Sequence, residues 1–257
     1  MNDPLTPEER DEHERDLIAF SDRELDLLGD IRGRNVLYAG GTSPLWIEGL
    51  AERIGKYGSL TVLDLDGEGI SEARNLFDDG ELPATPRFVV GDVFDPPFER
   101  GSFDLVYSSG LLHELDVSER DVGGALSALA NALRSGGRLA MSDFVDDVEA
   151  AQIEDEAIEA ELLHLATGAE LFGVGDSTRI LDILEGAFAL YGHSLHPPFE
   201  IRHLDKLFLA EPEPAELDTL VPDDAKRIRH RRERLRERVK AEGYTRPATL
   251  FFDITHT

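Results

Sequence analysis

Five short stretches of the chain carry residues that can bind or react: Gly40-Gly41-Thr42-Ser43, Asp64, Asp92, Ser108-Ser109 with His113 close behind, and Asp143. A glycine turn leaves backbone amides open to a ligand. A helix starting directly after it adds the positive end of its dipole. Carboxylates are pure acceptors, and one carboxylate can take two neighbouring hydroxyls at once. Asp64 lies 24 residues after Gly40, near the roughly 20-residue separation at which a Rossmann-type sheet places its ribose-binding acid. His113 is the one ring beside this set that can exchange a proton near neutral pH. Glu114 is placed to orient that ring, or serves only as an acid in the first turn of a helix. Asp143 reads as a solvated acid closing a strand.

The elements that must position these groups follow from hydrophobic period and turn chemistry. Residues 36–39 read as a short buried strand, and residues 44–54 as a helix, with Ser43 expected to cap it and Pro44 at its first position. Residues 60–64 form a second strand, 69–77 a helix, 87–90 a third strand and 103–107 a fourth. One long helix is expected from about residue 118 to 133, stopped at Gly136-Gly137, before a fifth strand at 139–143. Two helices, 6–20 and 21–28, precede the first strand as a flap over the sheet. Strands alternating with helices imply parallel crossover units, and ligands of such sheets sit beyond the carboxyl ends of the strands. Every residue named above falls at such an end.

The order of segments resembles the class I S-adenosylmethionine-dependent methyltransferases. The matching words are VLYAGG at the glycine turn, TVLDLD at the second strand, GDVFDPPF after the third, FDLVYSSGLLHEL at the fourth and LRSGGRLAMSDF around the fifth. The resemblance implies an α/β fold: a doubly wound, mostly parallel seven-strand sheet, Rossmann-like, with the last strand antiparallel and helices on both faces. It implies S-adenosyl-L-methionine as cofactor. Gly40, Gly41 and Thr42 would lie against its methionine half, and Asp64 with Leu65 beside it would hold the ribose. Asp92 and the Val93 amide would meet the adenine, and Ser108 the methionine carboxylate or sulfonium. His113 aligns with the histidine that small-molecule O-methyltransferases use as a base. The glycine turn departs from the family: Tyr38 stands at the usual acid, and Thr42 and Pro44 at the second and third glycines. Two readings follow, a rebuilt cradle that binds the cofactor and a non-catalytic scaffold.

Beyond the fifth strand the chain is expected to carry a helical insertion over residues 144–198. Leu162, Leu163, Leu165, Leu171 and Phe172 are candidates for the wall over the acceptor. Residues 199–209 and 249–255 are read as strands six and seven. His164, His193 and His196 lack metal-site spacing, so no metal is expected. The whole is one domain, residues 1–257, with a flap at 1–30, the cofactor core at 31–143 and the closing strands at 199–257.

Between those strands, residues 223–242 hold nine lysines and arginines against five acids, in a chain of 26 basic and 53 acidic residues and net charge −27. Ala225, Ile228, Leu235 and Val239 give this helix an apolar stripe with Arg232 in its gap. It either docks on the acidic body, helped by Asp223–Arg227 and Glu233–Arg236 pairs, or faces a phosphate, as an RNA methyltransferase would need. The charge itself suits concentrated salt, where the Debye length is about 3 Å at 1 M, and marks a halophile's composition. It argues against broad docking on DNA or anionic lipid. The chain contains no cysteine, which excludes disulfides, thiolate metal sites and thiol nucleophiles. No apolar run nears the ~20 residues of a membrane span, and the acidic start lacks a secretion signal. A cytoplasmic enzyme acting on a small-molecule acceptor is the resulting expectation.

Overall fold

In the computed structural model, residues 3–78, 80, 82–188 and 191–255 are described. Helix α1 (Pro7–Asp26) starts at a capping box: the Glu9 amide donates to Thr6 Oγ1, and the Thr6 amide donates to Glu9 Oε2. The two expected flap helices are one, because nothing at Ser21 interrupts the backbone ladder. Strand β1 (Asn35–Ala39) leads through the glycine turn into α2 (Pro44–Ile54), and β2 (Ser59–Asp64) leads into α3 (Gly67–Leu76). Asp66 takes the Glu68 and Gly69 amides, which starts α3 two residues earlier than the apolar pattern suggests. Then come β3 (Pro86–Val90) and β4 (Phe103–Ser109).

The expected long helix is two, α4 (Leu111–Val117) and α5 (Val122–Asn131). Glu119 sits at φ 58° between them, a left-handed position that no helix interior holds. Strand β5 (Leu133–Val145) begins before Gly136-Gly137, so those glycines lie within a strand and do not cap a helix. Helices α6 (Ala151–Thr167) and α7 (Ser177–Ala187) form the insertion. The apolar period predicts the second of these over residues 179–190, and its expected end, Leu190, lies outside the described residues. Strand β6 (Gly192–His196) follows, then α8 (Leu204–Ala210), a 3₁₀ turn (Ala215–Thr219), α9 (Pro222–Glu242) and β7 (Ala248–Thr255). The sixth strand is therefore not at 199–209. That segment ends in helix α8, which buries Phe208 against α9.

The sheet order is β3-β2-β1-β4-β5-β7-β6, with β7 antiparallel to both neighbours and the β1, β2, β3, β4 and β5 pairings parallel. This is the expected seven-strand Rossmann-like methyltransferase sheet. Alternation along β1 shows how it is buried: Val36 and Tyr38 pack with α2 and α3, while Leu37 and Ala39 pack with α4 and α5. Strands covered on both faces read as continuous apolar runs. Each large side chain removed from water in this way contributes about 1.5–3 kcal/mol. A third apolar cluster joins α6, α8 and α9 through Ile158, Phe208, Ile228 and Leu235. It fixes α6 of the insertion against α8 and α9.

Candidate active site

The strand ends gather the expected groups on one edge. Across the sheet the order is Asp92, Asp64, the glycine turn, then Ser109. Main-chain bonds tie them together: Gly91 N to Asp64 O at 2.9 Å, Gly40 N to Leu63 O at 2.8 Å, and Gly110 N to Ser142 O at 2.9 Å.

The turn itself needs its glycines. Gly40 has φ +70°, and a Cβ there would stand 2.7 Å from Leu111 Cδ1. At Gly41 a Cβ would stand 2.5 Å from the Tyr38 hydroxyl. Tyr38, at the position where the resemblance expects an acid, is 2% exposed and stacks on Tyr107 with ring centroids 6.0 Å apart. Its ring props the turn from below and does not stand between Asp64 and Asp92. Burial first, then the charges of Tyr107, Asp64 and Glu114, hold its hydroxyl protonated well above the usual phenol range. Ser43 occupies the backbone cap position of α2 without a side-chain cap bond, so the expected hydroxyl cap does not form. Thr42 directs its hydroxyl at α3, where it would lie 3.1 Å from a Cβ on Gly69.

Asp64 Oδ1 accepts the Asp66 amide at 2.8 Å. Burial, followed by the Asp66 charge, raises this carboxyl, with backbone amides pulling against them. Leu65 beside it is 65% exposed, and a ligand could cover it. Asp92 Oδ1 accepts the Phe94 amide at 3.0 Å, which orients the carboxylate, while the Val93 side chain turns into the core. Ser108 differs from expectation. It is fully buried, with Oγ lacking any partner among the described residues, and its neighbour Ser109 reaches the site in its place.

Beside the turn opens a cleft of about 430 Å³, floored by Gly40, Gly41, Thr42, Ser109 and Gly110. Trp46, Phe144 and Phe172 supply rings to its wall, and His113, Glu114 and Glu156 supply its ionisable groups. The His113 side chain is 12% exposed, and its Nδ1 stands 3.3 Å from Asp143 Oδ1. Asp143 is 1% exposed. Its Oδ1 accepts the amides of Leu112 at 2.8 Å and His113 at 3.0 Å, so it caps α4 and holds the ring in place at once. The orienting acid is thus Asp143, not Glu114, and Asp143 is no solvated strand end. Burial pulls the imidazole down, but the close Asp143 carboxylate, with the charges of Glu114 and Glu156, outweighs it and leaves the ring raised above its ordinary value. Glu114 is raised by burial despite the nearby His113, with Asp143 and Asp64 adding to the rise.

Four features escaped the sequence. Glu156, on α6, accepts the Gln152 amide at 2.7 Å, and Gln152 in turn accepts Arg246 Nε at 3.3 Å. Arg246 lies over Phe144 at 4.9 Å and Phe20 at 4.2 Å, and burial with the Arg23 charge pushes it down to about 10. Trp46 gives its indole N–H to Tyr107 at 3.2 Å and so shows the cleft its ring. A one-turn spacing of Gln152 and Glu156 was the signal available for the first of these. The others come together only in the fold. Of the five residues expected in the wall, Phe172 lines the cleft; Leu162 is buried against α9, Leu163 is half-buried outside the cleft lining, and Leu165 and Leu171 are 40% and 43% exposed.

The donor set suits the nucleoside the resemblance implies. Two carboxylates, each steadied by one backbone amide, stand along one edge beside an amide-lined turn. Asp64 can take ribose hydroxyls, Asp92 an adenine amino group, and Gly40, Gly41 and Thr42 the methionine half.

Residues 38–141 match a family model described as a methyltransferase domain, Methyltransf_11. The ubiquinone/menaquinone biosynthesis C-methyltransferase UbiE of Idiomarina loihiensis is 28% identical over 142 residues, which are 52% of this chain and 55% of that protein. The chain therefore matches about half the length of this relative. A SAM-dependent methyltransferase from Aquifex aeolicus superposes with a TM-score of 0.53 at 17% identity, covering 78% of this chain and 94% of that one. A geranyl diphosphate methyltransferase in complex with SAM superposes with 0.56 at 12% identity, covering 93% and 85%. Residues 38–141 thus match a methyltransferase domain, on a fold shared with S-adenosylmethionine-dependent methyltransferases.

Proposed function

We propose that the protein transfers a methyl group from S-adenosylmethionine to a small-molecule acceptor bound in the cleft beside the glycine turn. The observation that carries this reading is the shared edge: Asp92, Asp64 and the glycine turn stand in line, and the cleft opens where the methionine end of the cofactor would finish. The bound cofactor supplies an electrophilic methyl on sulfur. The chain supplies position, which accounts for most of the rate in an in-line displacement.

Gly41 and Thr42 present amides to the methionine half, and Gly40, whose own amide is held by Leu63, lets the backbone come close. Asp64 takes the ribose hydroxyls and Asp92 the adenine amine. Tyr38 fills the place of the usual acid with a neutral hydroxyl. Glu114 lies near enough for its charge to act on that hydroxyl, and it supplies the negative charge the turn lacks. The rings of Trp46, Phe144 and Phe172 exclude water from the acceptor. His113, held by Asp143, takes the acceptor's proton where one must leave.

The RNA reading finds less support. Arg227 and Arg231 are paired with Glu161, Arg229 with Glu213 and Asp218, Arg232 with Glu211, and Arg238 with Glu149 and Glu154. Arg236 donates to the carbonyls of Phe208 and Leu209 at the end of α8. Six of the helix's arginines are spent on the chain's own acids and carbonyls.

Incubation with methyl-labelled S-adenosylmethionine in molar KCl, against pooled small amines, phenols and quinones and against total RNA, tests the reading. Label in a small molecule is expected. Label in RNA alone, or in nothing while S-adenosylhomocysteine fails to bind, would overturn it.

A further inference from the structure

The wall of the cleft carries more information than its size. Among the described residues, none that lines it is lysine or arginine, while Glu114 and Glu156 both face it. Glu156 is not a loose surface acid: Gln152 holds its Oε1 at 2.7 Å. Gln152 is itself held by Arg246 at 3.3 Å, and this chain of bonds aims the carboxylate across α6 into the cleft. Burial raises the Glu156 carboxyl, and His113 draws it back.

The rings opposite already show what they can hold. The Arg246 guanidinium lies 4.9 Å from the Phe144 centroid, on the side of the ring packed against Phe20. The indole of Trp46 has its N–H occupied by Tyr107, leaving a π-face with no donor of its own. Aromatic faces beside a carboxylate favour a compact cation, by about 0.5–2 kcal/mol per ring. An anionic acceptor would meet two carboxylates with only the His113 ring to answer them.

On the reading that this cleft is a methyl-transfer site, we propose that its acceptor is a small aliphatic amine, bound as the ammonium between Glu156 and the rings of Trp46, Phe144 and Phe172, and methylated on nitrogen. The ammonium first gives one proton to the Glu156 carboxylate. The freed nitrogen lone pair then forms the new N–C bond as the C–S bond of the donor breaks. The electrons of that bond stay on sulfur, S-adenosylhomocysteine leaves neutral at sulfur, and the positive charge moves to the methylated nitrogen. Glu156 is a catalytic residue in this step, and Gln152 is a positioning residue acting through it.

The test keeps the two layers apart. The full chain in molar KCl is first saturated with S-adenosylhomocysteine, followed by calorimetry, and then titrated with tetramethylammonium chloride or, separately, sodium benzoate. Tetramethylammonium is expected to bind and benzoate not. Glu156→Gln should weaken tetramethylammonium at least tenfold while S-adenosylhomocysteine binds as in the wild type, which also shows that the variant is folded. Gln152→Ala should weaken tetramethylammonium less, because the carboxylate remains but is no longer aimed. S-adenosylhomocysteine binding with no tetramethylammonium heat, a preference for benzoate, or equal affinity in Glu156→Gln would overturn the amine assignment alone. Failure of S-adenosylhomocysteine to bind would remove the methyl-transfer reading and the amine with it.

Discussion

Two charged regions of the molecule, the carboxyl edge of the sheet and helix α9, handle charge in opposite ways. On α9 the arginines form ion pairs with Glu161, Glu211, Glu213 and Glu154 from other segments, and the apolar stripe Ala225, Ile228, Leu235 and Val239 is buried beneath them. At the edge, Asp64 and Asp92 are steadied by one amide each, and no basic side chain is paired with either among the described ion pairs. Glu114 and Glu156 are likewise left facing a cleft with their carboxyls raised by burial. Charge neutralised inside the fold has a structural task. Charge that the fold orients and leaves unneutralised is available to a ligand.

The sharpest way to break this contrast is at Asp143, where the fold does both. Asp143→Ala removes the acceptor of two α4 amides and the partner of His113, all buried. It should cost roughly 2–4 kcal/mol of stability, read as a lower midpoint in thermal unfolding in molar KCl. A loss below about 0.5 kcal/mol, within the range of an ordinary surface change, would show that α4 is capped some other way.

Asp64→Ala comes next. Losing charge-assisted bonds to the ribose should weaken S-adenosylhomocysteine by about 1–3 kcal/mol, measured by calorimetry, with little change in stability. Unaltered affinity would place the ribose elsewhere.

A pH profile is a smaller effect of fixed sign. His113 has a folded-state pKa above its unfolded one, through Asp143 acting against burial. Its contribution is complete below the ordinary histidine value and is lost as pH rises through the raised one. Wild type should therefore lose stability over that window relative to His113→Gln, and parallel curves would contradict the His113–Asp143 pairing.

The smallest effect is expected on α9. Replacing Arg229, Arg231 and Arg232 with Gln should cost less than about 1 kcal/mol for each exposed pair and leave S-adenosylhomocysteine affinity untouched. Salt-dependent RNA retention in the wild type, lost in this triple variant, would erase the contrast and give α9 a ligand.

What the sequence disclosed follows the same division. The β1-turn-α2-β2 unit was legible because apolar period, Pro44 and the glycines all act locally. The α9 stripe was legible for the same reason: its four apolar residues recur at helical spacing. The break between α4 and α5 was hidden because residues 118–121 carry neither proline nor glycine, and one left-handed residue, Glu119, makes the turn. Strand β6 was placed too late because GHSLH is short and polar. It pairs with β7 alone, as an edge strand, so tertiary pairing and not its own pattern makes it a strand. Asp143 was misjudged because the amides it caps lie about thirty residues earlier in the chain. Glu156 stands in an acid-rich helix where its one-turn spacing from Gln152 is the single local mark; the approach of Arg246 to Gln152, which sets it apart from Glu154 and Glu159, exists only in the fold.

The central claim is that the edge holds an adenosine through Asp64 and Asp92. Titration of S-adenosylhomocysteine into the wild-type chain in molar KCl, beside Asp92→Ala and Asp64→Ala, tests it most directly. The account expects saturable heat for the wild type and weaker binding in both variants. No heat for the wild type, or equal binding in all three proteins, would contradict it.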